Sequence, residues 1–183
     1  MKKDIKNILF SRKDINKSIK ILGKELTNVY KNREVTILSL LDGSFVFTAD
    51  LVREMDVQVD IKFLKVKSYE GTESSGSLII NQGFNFNQLD NKHVLVVDDI
   101  LDTGLTLDTI CKKIRNETEA LSINSCVLLD KQVKRKTVKS ANFTCFKIPD
   151  EFVVGYGLDY NGKYRNLPYI GVLDEKVYSE NME

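Results

Sequence analysis

The sequence predicts an α/β protein with a mainly parallel core sheet flanked by helices, and three observations lead there. Residues 94–97 (Val, Leu, Val, Val) form an unbroken aliphatic run, the pattern of a strand covered on both faces. Beyond it Leu107, Ile110, Cys111 and Ile114 recur along one face of a helix. A second unit has the same order: a strand over Val35 to Leu41, a break at Asp42, Gly43 and Ser44, then a helix over 45–55. Strand, turn and helix in repeated order build a parallel sheet.

The remaining elements follow in chain order. Ser11 and Asp14 have capping-box spacing, and Ile15, Ile19, Leu22, Leu26 and Val29 continue at helical intervals to about residue 30. Val57, Val59, Ile61 and Phe63 alternate with polar residues, a half-exposed strand that runs into Ser68. Residues 68–77 are Ser, Gly, Glu and Thr around a single Tyr69, so composition alone reads an exposed hairpin loop. Residues 125–129 form another buried strand, ending in Asp130 and Lys131. The basic run Lys131, Lys134, Arg135, Lys136 and Lys139 reads as a solvated loop in which only Lys131 is placed for a pocket. Strands are expected over 143–148, around 152–154 and over 169–173. No internal repeat or low-complexity tract interrupts the chain, and 183 residues predict one domain over 1–183.

Composition narrows the function classes. Lys and Arg number 27 against 26 Asp and Glu, a net charge of +1, so overall charge favours neither nucleic acid nor a membrane surface. No apolar run approaches the roughly 20 residues that span a bilayer, and the start of the chain lacks a signal-peptide core, so a cytoplasmic protein is expected. Cys111, Cys126 and Cys145 are odd in number and without close pairing, which suits reduced core thiols. The single histidine, His93, precedes the 94–97 run and reads as a strand-edge residue.

The candidate chemistry lies where that run ends, in Asp98, Asp99, Ile100, Leu101, Asp102, Thr103, Gly104, Leu105 and Thr106. In an open α/β sheet the strand-to-helix turn sits at the carboxyl edge, where ligands bind. Thr103, Gly104 and Thr106 open the helix, whose unpaired N–H groups and positive dipole end favour a phosphate. Asp98 and Asp99 are adjacent at the strand end and suit diol hydroxyls or the waters of a hard cation. Neither G-x-x-x-x-G-K-[ST] nor G-x-G-x-x-G occurs. Asp102, Thr103 and Gly104 also spell the aspartic-protease triplet, but that chemistry leaves the acid pair and the helix without a role.

This stretch resembles the signature of the phosphoribosyltransferases: a hydrophobic strand, two acids, two apolar residues, then D-[ST]-G-x-T. Within them the resemblance is to the hypoxanthine-guanine enzymes, over nearly the whole chain, from Val35 to Leu173. It rests also on the 41–45 loop, Ser68 and Tyr69, the strand end at Lys131, the 152–156 segment, Asp159 and Arg165. The resemblance implies the type I phosphoribosyltransferase fold, with a small hood from the chain's end segments near a purine pocket. It implies transfer of a phosphoribosyl group from phosphoribosyl pyrophosphate to hypoxanthine or guanine, with Mg2+, in a homodimer or homotetramer.

Residue roles are likewise what the resemblance implies. Asp98 and Asp99 face the ribose hydroxyls and the waters of a magnesium ion, and Asp102, Thr103, Gly104, Leu105 and Thr106 hold the 5′-phosphate. Asp102 also faces purine N7 as general base; the alternative is a helix N-cap. Lys131 donates to the 6-oxo group, Phe152 stacks on the base and Val153 backbone groups read its edge. Asp159 helps hold a second magnesium, and Leu41, Asp42, Gly43 and Arg165 bind pyrophosphate. Ser68 and Tyr69 belong to a lid that closes over the reacting centre. A cis peptide is implied between Leu41 and Asp42. One departure stands out: many relatives carry lysine where this chain has Asp42, which removes a positive charge beside the expected pyrophosphate. The rival reading is a regulatory protein that senses phosphoribosyl pyrophosphate without turnover; the joint presence of Asp102, Lys131, Phe152 and Arg165 favours the enzyme.

Overall fold

The computed structural model describes residues 1–68, 78–81, 83–133, 135 and 140–179. Its elements are β1 (Ile5–Phe10), α1 (Arg12–Val29), β2 (Val35–Leu41), α2 (Phe45–Arg53), β3 (Val59–Ser68), β4 (Leu78–Ile80), β5 (His93–Leu101), α3 (Leu105–Glu117), β6 (Ser122–Lys131), β7 (Phe143–Ile148), β8 (Val153–Val154), β9 (Ile170–Leu173) and α4 (Glu175–Ser179). Six strands form a sheet in the order β4-β3-β2-β5-β6-β7. All pair in parallel except β4, which is antiparallel to β3. β1, β9 and β8 form a small antiparallel sheet from segments near the two ends of the chain, the hood that the resemblance implied.

Alternation along the central strands sorts side chains into two layers. Leu95 and Val97 of β5 pack with Ile37 of β2 and with Ile15, Ile19, Leu22 and Leu26 of α1. Val94 and Val96 pack with Leu38 and Leu40 and with Leu107, Ile110 and Ile114 of α3. Because both faces are covered, the strands have no polar side, which is why they read as unbroken apolar runs. Ser11 caps α1 as its spacing predicts: its Oγ accepts from Asp14 N at 3.3 Å while the Asp14 carboxylate accepts from Ser11 N at 3.0 Å.

Several boundaries differ from expectation. β5 runs on to Leu101, so Asp98 and Asp99 lie inside the strand and not in the turn after it; continued pairing with β6, Asp98 to Val127 and Ile100 to Leu129, satisfies their backbone. α2 stops at Arg53, two residues before the expected end. β3 begins at Val59 rather than Val57. Ile61 and Phe63 stay 37% and 53% exposed while Leu64 is buried, so the later part of the apolar alternation faces solvent, whereas Val57 and Val59 pack partly against the core. The periodicity does not signal β1, β4 or α4, each six residues or fewer.

The basic run is the largest correction. Lys134 and residues 136–139 lie outside the described residues, but the side chain of Arg135 is buried, only 4% exposed. Its Nη2 donates to Leu101 O at 2.7 Å, to Asp130 Oδ1 at 2.6 Å and to Lys131 O, and its Nε donates to Asp102 O. A planar fork of donors thus ties the carboxyl ends of β5 and β6 together, on carbonyls flanking the two side chains expected to meet the purine. Arg135→Met should destabilise the fold by roughly 3–5 kcal/mol, because it strands the buried Asp130 carboxylate. Urea denaturation checks this, and a change under about 1 kcal/mol, the scale of an exposed pair, would show that the pair does not hold the strand ends.

Candidate active site

Pairing of β5 with β6 in the register Leu101 to Asp130 makes Asp102 and Lys131 neighbours. Lys131 Nζ lies 3.1 Å from Asp102 Oδ2 and 3.2 Å from Asp150 Oδ1; its side chain is 12% exposed and that of Asp102 48%. Asp102 is not the helix N-cap. That position belongs to Gly104, in the left-handed region at φ 83°, and the first helical bond closes from Asp108 N to Gly104 O at 3.0 Å. Thr103 Oγ1 accepts from Leu105 N at 3.3 Å. The first turn of α3, with Leu105 and Thr106, therefore presents N–H groups beside the Asp102–Lys131 pair, where an anion is favoured.

On the same strand Asp98 and Asp99 sit side by side. Asp98 Oδ1 accepts from Asp99 N at 3.0 Å and Asp99 Oδ1 from Ile100 N at 2.8 Å. Burial, and then the charge of Asp99, push the Asp98 carboxyl well above the usual range. Burial also raises Asp99, opposed by its hydrogen bond with Asp98 and by the charge of Arg165. A buried carboxylate in contact with a half-buried one favours whatever brings the pair positive charge or hydroxyl donors.

The 41–44 loop closes over this pair. The Leu41–Asp42 peptide is cis, as the resemblance implied. A Cβ at Gly43 would lie 1.7 Å from Asp99 Oδ2, so any larger residue would push that carboxylate from its place against the loop. Beneath it, Ser39 Oγ bonds Ser44 Oγ and Thr48 Oγ1, each at 2.8 Å, and Ser44 Oγ donates to Leu40 O at 2.5 Å. The buried hydroxyls anchor the loop to β2 and α2.

Across the loop, a Cβ at Gly157 would come within 2.1 Å of Gly43 O. Arg165 Nη1 donates to Gly157 O at 2.7 Å and Arg165 Nη2 pairs with Asp159 Oδ1 at 2.9 Å. Arg165 thus joins the loop and the acid pair, as its effect on Asp99 also indicates. Asp159 is tied to Arg165 and to Gly162 N; among the described residues no three His, Cys, Asp or Glu side chains gather into a metal cage. Phe152, 40% exposed, stacks on Tyr178 with centroids 5.3 Å apart and meets Tyr160 edge-on at 5.5 Å. Val153 is buried in β8, paired with Val172. Ser68 ends β3 opposite Leu78, while Tyr69 and the rest of the expected lid lie outside the described residues.

Sequence reasoning missed Arg135, Lys65, Asp150 and Tyr178. Lys65 Nζ pairs with Asp42 Oδ1 at 3.4 Å, a contact that depends on strand order and leaves no local signal. His93 opens β5 at the end away from the acids and bonds Ser122 Oγ at 2.8 Å, so it has no part here. The cysteines are free, and burial raises the Cys111 and Cys145 thiols to about 11 and Cys126 well above its ordinary value, which suits core packing and not nucleophilic work. A cavity of about 680 Å³ between β4 and the far end of α3, lined in part by Phe84, Phe86 and Lys113, contains none of the residues above.

The family pattern described as a phosphoribosyl transferase domain matches residues 4–161. A hypoxanthine-guanine phosphoribosyltransferase of Streptococcus pneumoniae is 45% identical over 180 residues, covering 98% of this chain and 99% of that protein. One from Staphylococcus epidermidis is 44% identical over 181 residues, 98% of this chain and 100% of that protein. Among solved structures, a hypoxanthine phosphoribosyltransferase from Staphylococcus aureus superimposes with a TM-score of 0.90 at 42% identity, over 97% of this chain and 96% of that one. The strand-to-helix turn built around Asp102 therefore sits in a chain that, nearly end to end, belongs to the phosphoribosyl transferase family.

Proposed function

We propose that this chain serves purine salvage, moving the 5-phosphoribosyl group of phosphoribosyl pyrophosphate onto N9 of hypoxanthine or guanine to give IMP or GMP and pyrophosphate. The observation that carries this reading is the 3.1 Å contact between Asp102 and Lys131 beside the start of α3. A 6-oxopurine presents an N7–H donor and an O6 acceptor on one edge. A carboxylate and an ammonium side by side match that edge, acceptor to donor and donor to acceptor. Adenine puts an amino donor against the ammonium and leaves it unpaired, which rejects adenine.

The 5′-phosphate rests on the first turn of α3 with Thr103, Gly104, Leu105 and Thr106, and Asp98 and Asp99 hold the ribose hydroxyls. As the purine arrives, Lys131 and Asp102 exchange each other for O6 and N7–H. Asp102 takes the N7 proton while N9 attacks C1 of the sugar and pyrophosphate leaves toward Gly43 and Arg165, whose fork offsets the departing charge. Phe152, backed by Tyr178, forms the aromatic wall and Val153 reads the base edge. Ser68 and Tyr69 belong to the lid that excludes water. Asp98 and Asp99, with Asp159 for a second ion, would hold Mg2+; two adjacent acids plus ligand oxygens and waters suit a hard cation that keeps part of its hydration shell. The ion would neutralise pyrophosphate charge. Residues 1–183 act as one domain, in a homodimer or homotetramer in the cytoplasm; among the described residues no helix is long and apolar enough to cross a membrane.

Two outcomes test this. Asp102→Asn should lower kcat by about 10²–10⁴, the usual yield of a general base, with KM for phosphoribosyl pyrophosphate little changed; initial rates with hypoxanthine check it, and unimpaired turnover would remove Asp102 as base. Asp98→Asn should raise the thermal midpoint of the free protein at neutral pH while weakening phosphoribosyl pyrophosphate binding. Because the folded Asp98 carboxyl is raised, the unfolded chain holds fewer protons there, so the wild type loses stability as pH climbs above the usual carboxylate range and the variant's advantage, about 1 kcal/mol, vanishes below it. Melts with and without ligand across pH measure both effects, and a variant less stable at neutral pH contradicts the prediction.

A further inference from the structure

We propose that Lys65 is the cation that meets the pyrophosphate group at the 41–43 loop in this chain, and that Asp42 holds it in readiness before ligand arrives. The inference rests on the phosphoribosyl pyrophosphate reading above and adds a residue to it. Pyrophosphate is a dense anion, yet the rim it must enter carries Asp42, Asp98, Asp99 and Asp159. Asp42 itself gives the loop a negative side chain where the incoming group is an anion.

Strand pairing supplies the missing charge. The parallel register of β2 with β3 sets Lys65 opposite Leu41, one residue from Asp42, and Nζ reaches Asp42 Oδ1 at 3.4 Å. The Lys65 backbone is fixed on both sides, by β2 and by Asn81 N donating to its carbonyl at 3.1 Å. Its side chain is not fixed: Lys65 and Asp42 are 50% and 49% exposed. An exposed pair contributes little to stability, and an ammonium on a flexible stem can turn from a carboxylate to a phosphate without moving the strand. Arg165 stands in the same relation to Asp159 across the loop. Each cation at this rim rests on a carboxylate, and a pyrophosphate arriving between them competes with both carboxylates. The positive charge that the loop itself lacks at position 42 is thereby supplied from position 65.

The test compares Lys65→Met, Asp42→Asn and the exchanged double variant Asp42→Lys with Lys65→Asp against the wild type. KM is measured for phosphoribosyl pyrophosphate and for hypoxanthine, and inorganic pyrophosphate is titrated calorimetrically with magnesium. Lys65→Met should raise KM for phosphoribosyl pyrophosphate and Kd for pyrophosphate about ten-fold, the loss of one charge-assisted contact, with KM for hypoxanthine unchanged. Asp42→Asn should move both constants the other way by releasing the lysine, and the exchanged variant should return them toward wild type. A merely structural pair would make both single variants behave alike; parallel shifts, or no shift in Lys65→Met, overturn the proposal. A wild type without turnover defeats the proposed function, whereas the pyrophosphate titration still decides the role of Lys65.

Discussion

Parallel pairing of β5 with β2 and β6 is the constraint on which the site depends. It brings the carboxyl ends of three strands to one edge, and each strand end adds a different function: the glycine loop after β2, the acid pair within the last residues of β5 and the helix start beyond it, the lysine closing β6. The register then fixes detail. Leu101 opposite Asp130 places Asp102 beside Lys131, and Leu41 opposite Lys65 places a lysine beside Asp42. A slip of one residue would turn these side chains to the other face and dissolve both pairs. Arg135 secures the first register by holding the carbonyls on either side of it.

Charge at this edge is arranged in opposed pairs. Asp102 with Lys131, Asp42 with Lys65 and Asp159 with Arg165 are ion pairs at the cleft, and each leaves its cation able to exchange a carboxylate for a ligand oxygen. Asp98 and Asp99 are different. Asp98 is buried with Asp99 half-buried against it, and withdrawal from water raises both carboxyls. A site that keeps two acids in contact gives up stability in its empty form, a common cost where a ligand must later be held.

Much of this was legible in the sequence. Strands covered on both faces appear as unbroken apolar runs, so β2, β5 and β6 were found, and the helix after each acid or glycine turn followed from its period. The ordered stretch from Asp98 to Thr106 located the site because strand end, acid pair, glycine and hydroxyls each answer to a separate chemical need. What stayed hidden depends on contacts between distant segments. Arg135 sits in a run of lysines and looks like solvated surface, yet the end of β5, far from it in sequence, draws it inside together with the nearby end of β6. Lys65 and Tyr178 likewise acquire roles only through strand order and through the packing of the chain's end against Phe152. β1, β4 and α4 are too short for a period to emerge.

The most direct measurement is a crystal structure of the protein soaked with guanosine monophosphate. The 5′-phosphate should rest on the backbone N–H groups at the start of α3, with O6 on Lys131 Nζ and the Lys131–Asp102 contact opened by the base. A nucleotide bound elsewhere, or bound there with Lys131 still paired to Asp102 and turned away from O6, would contradict the assignment of this strand end as the place where purine and phosphoribosyl group are joined.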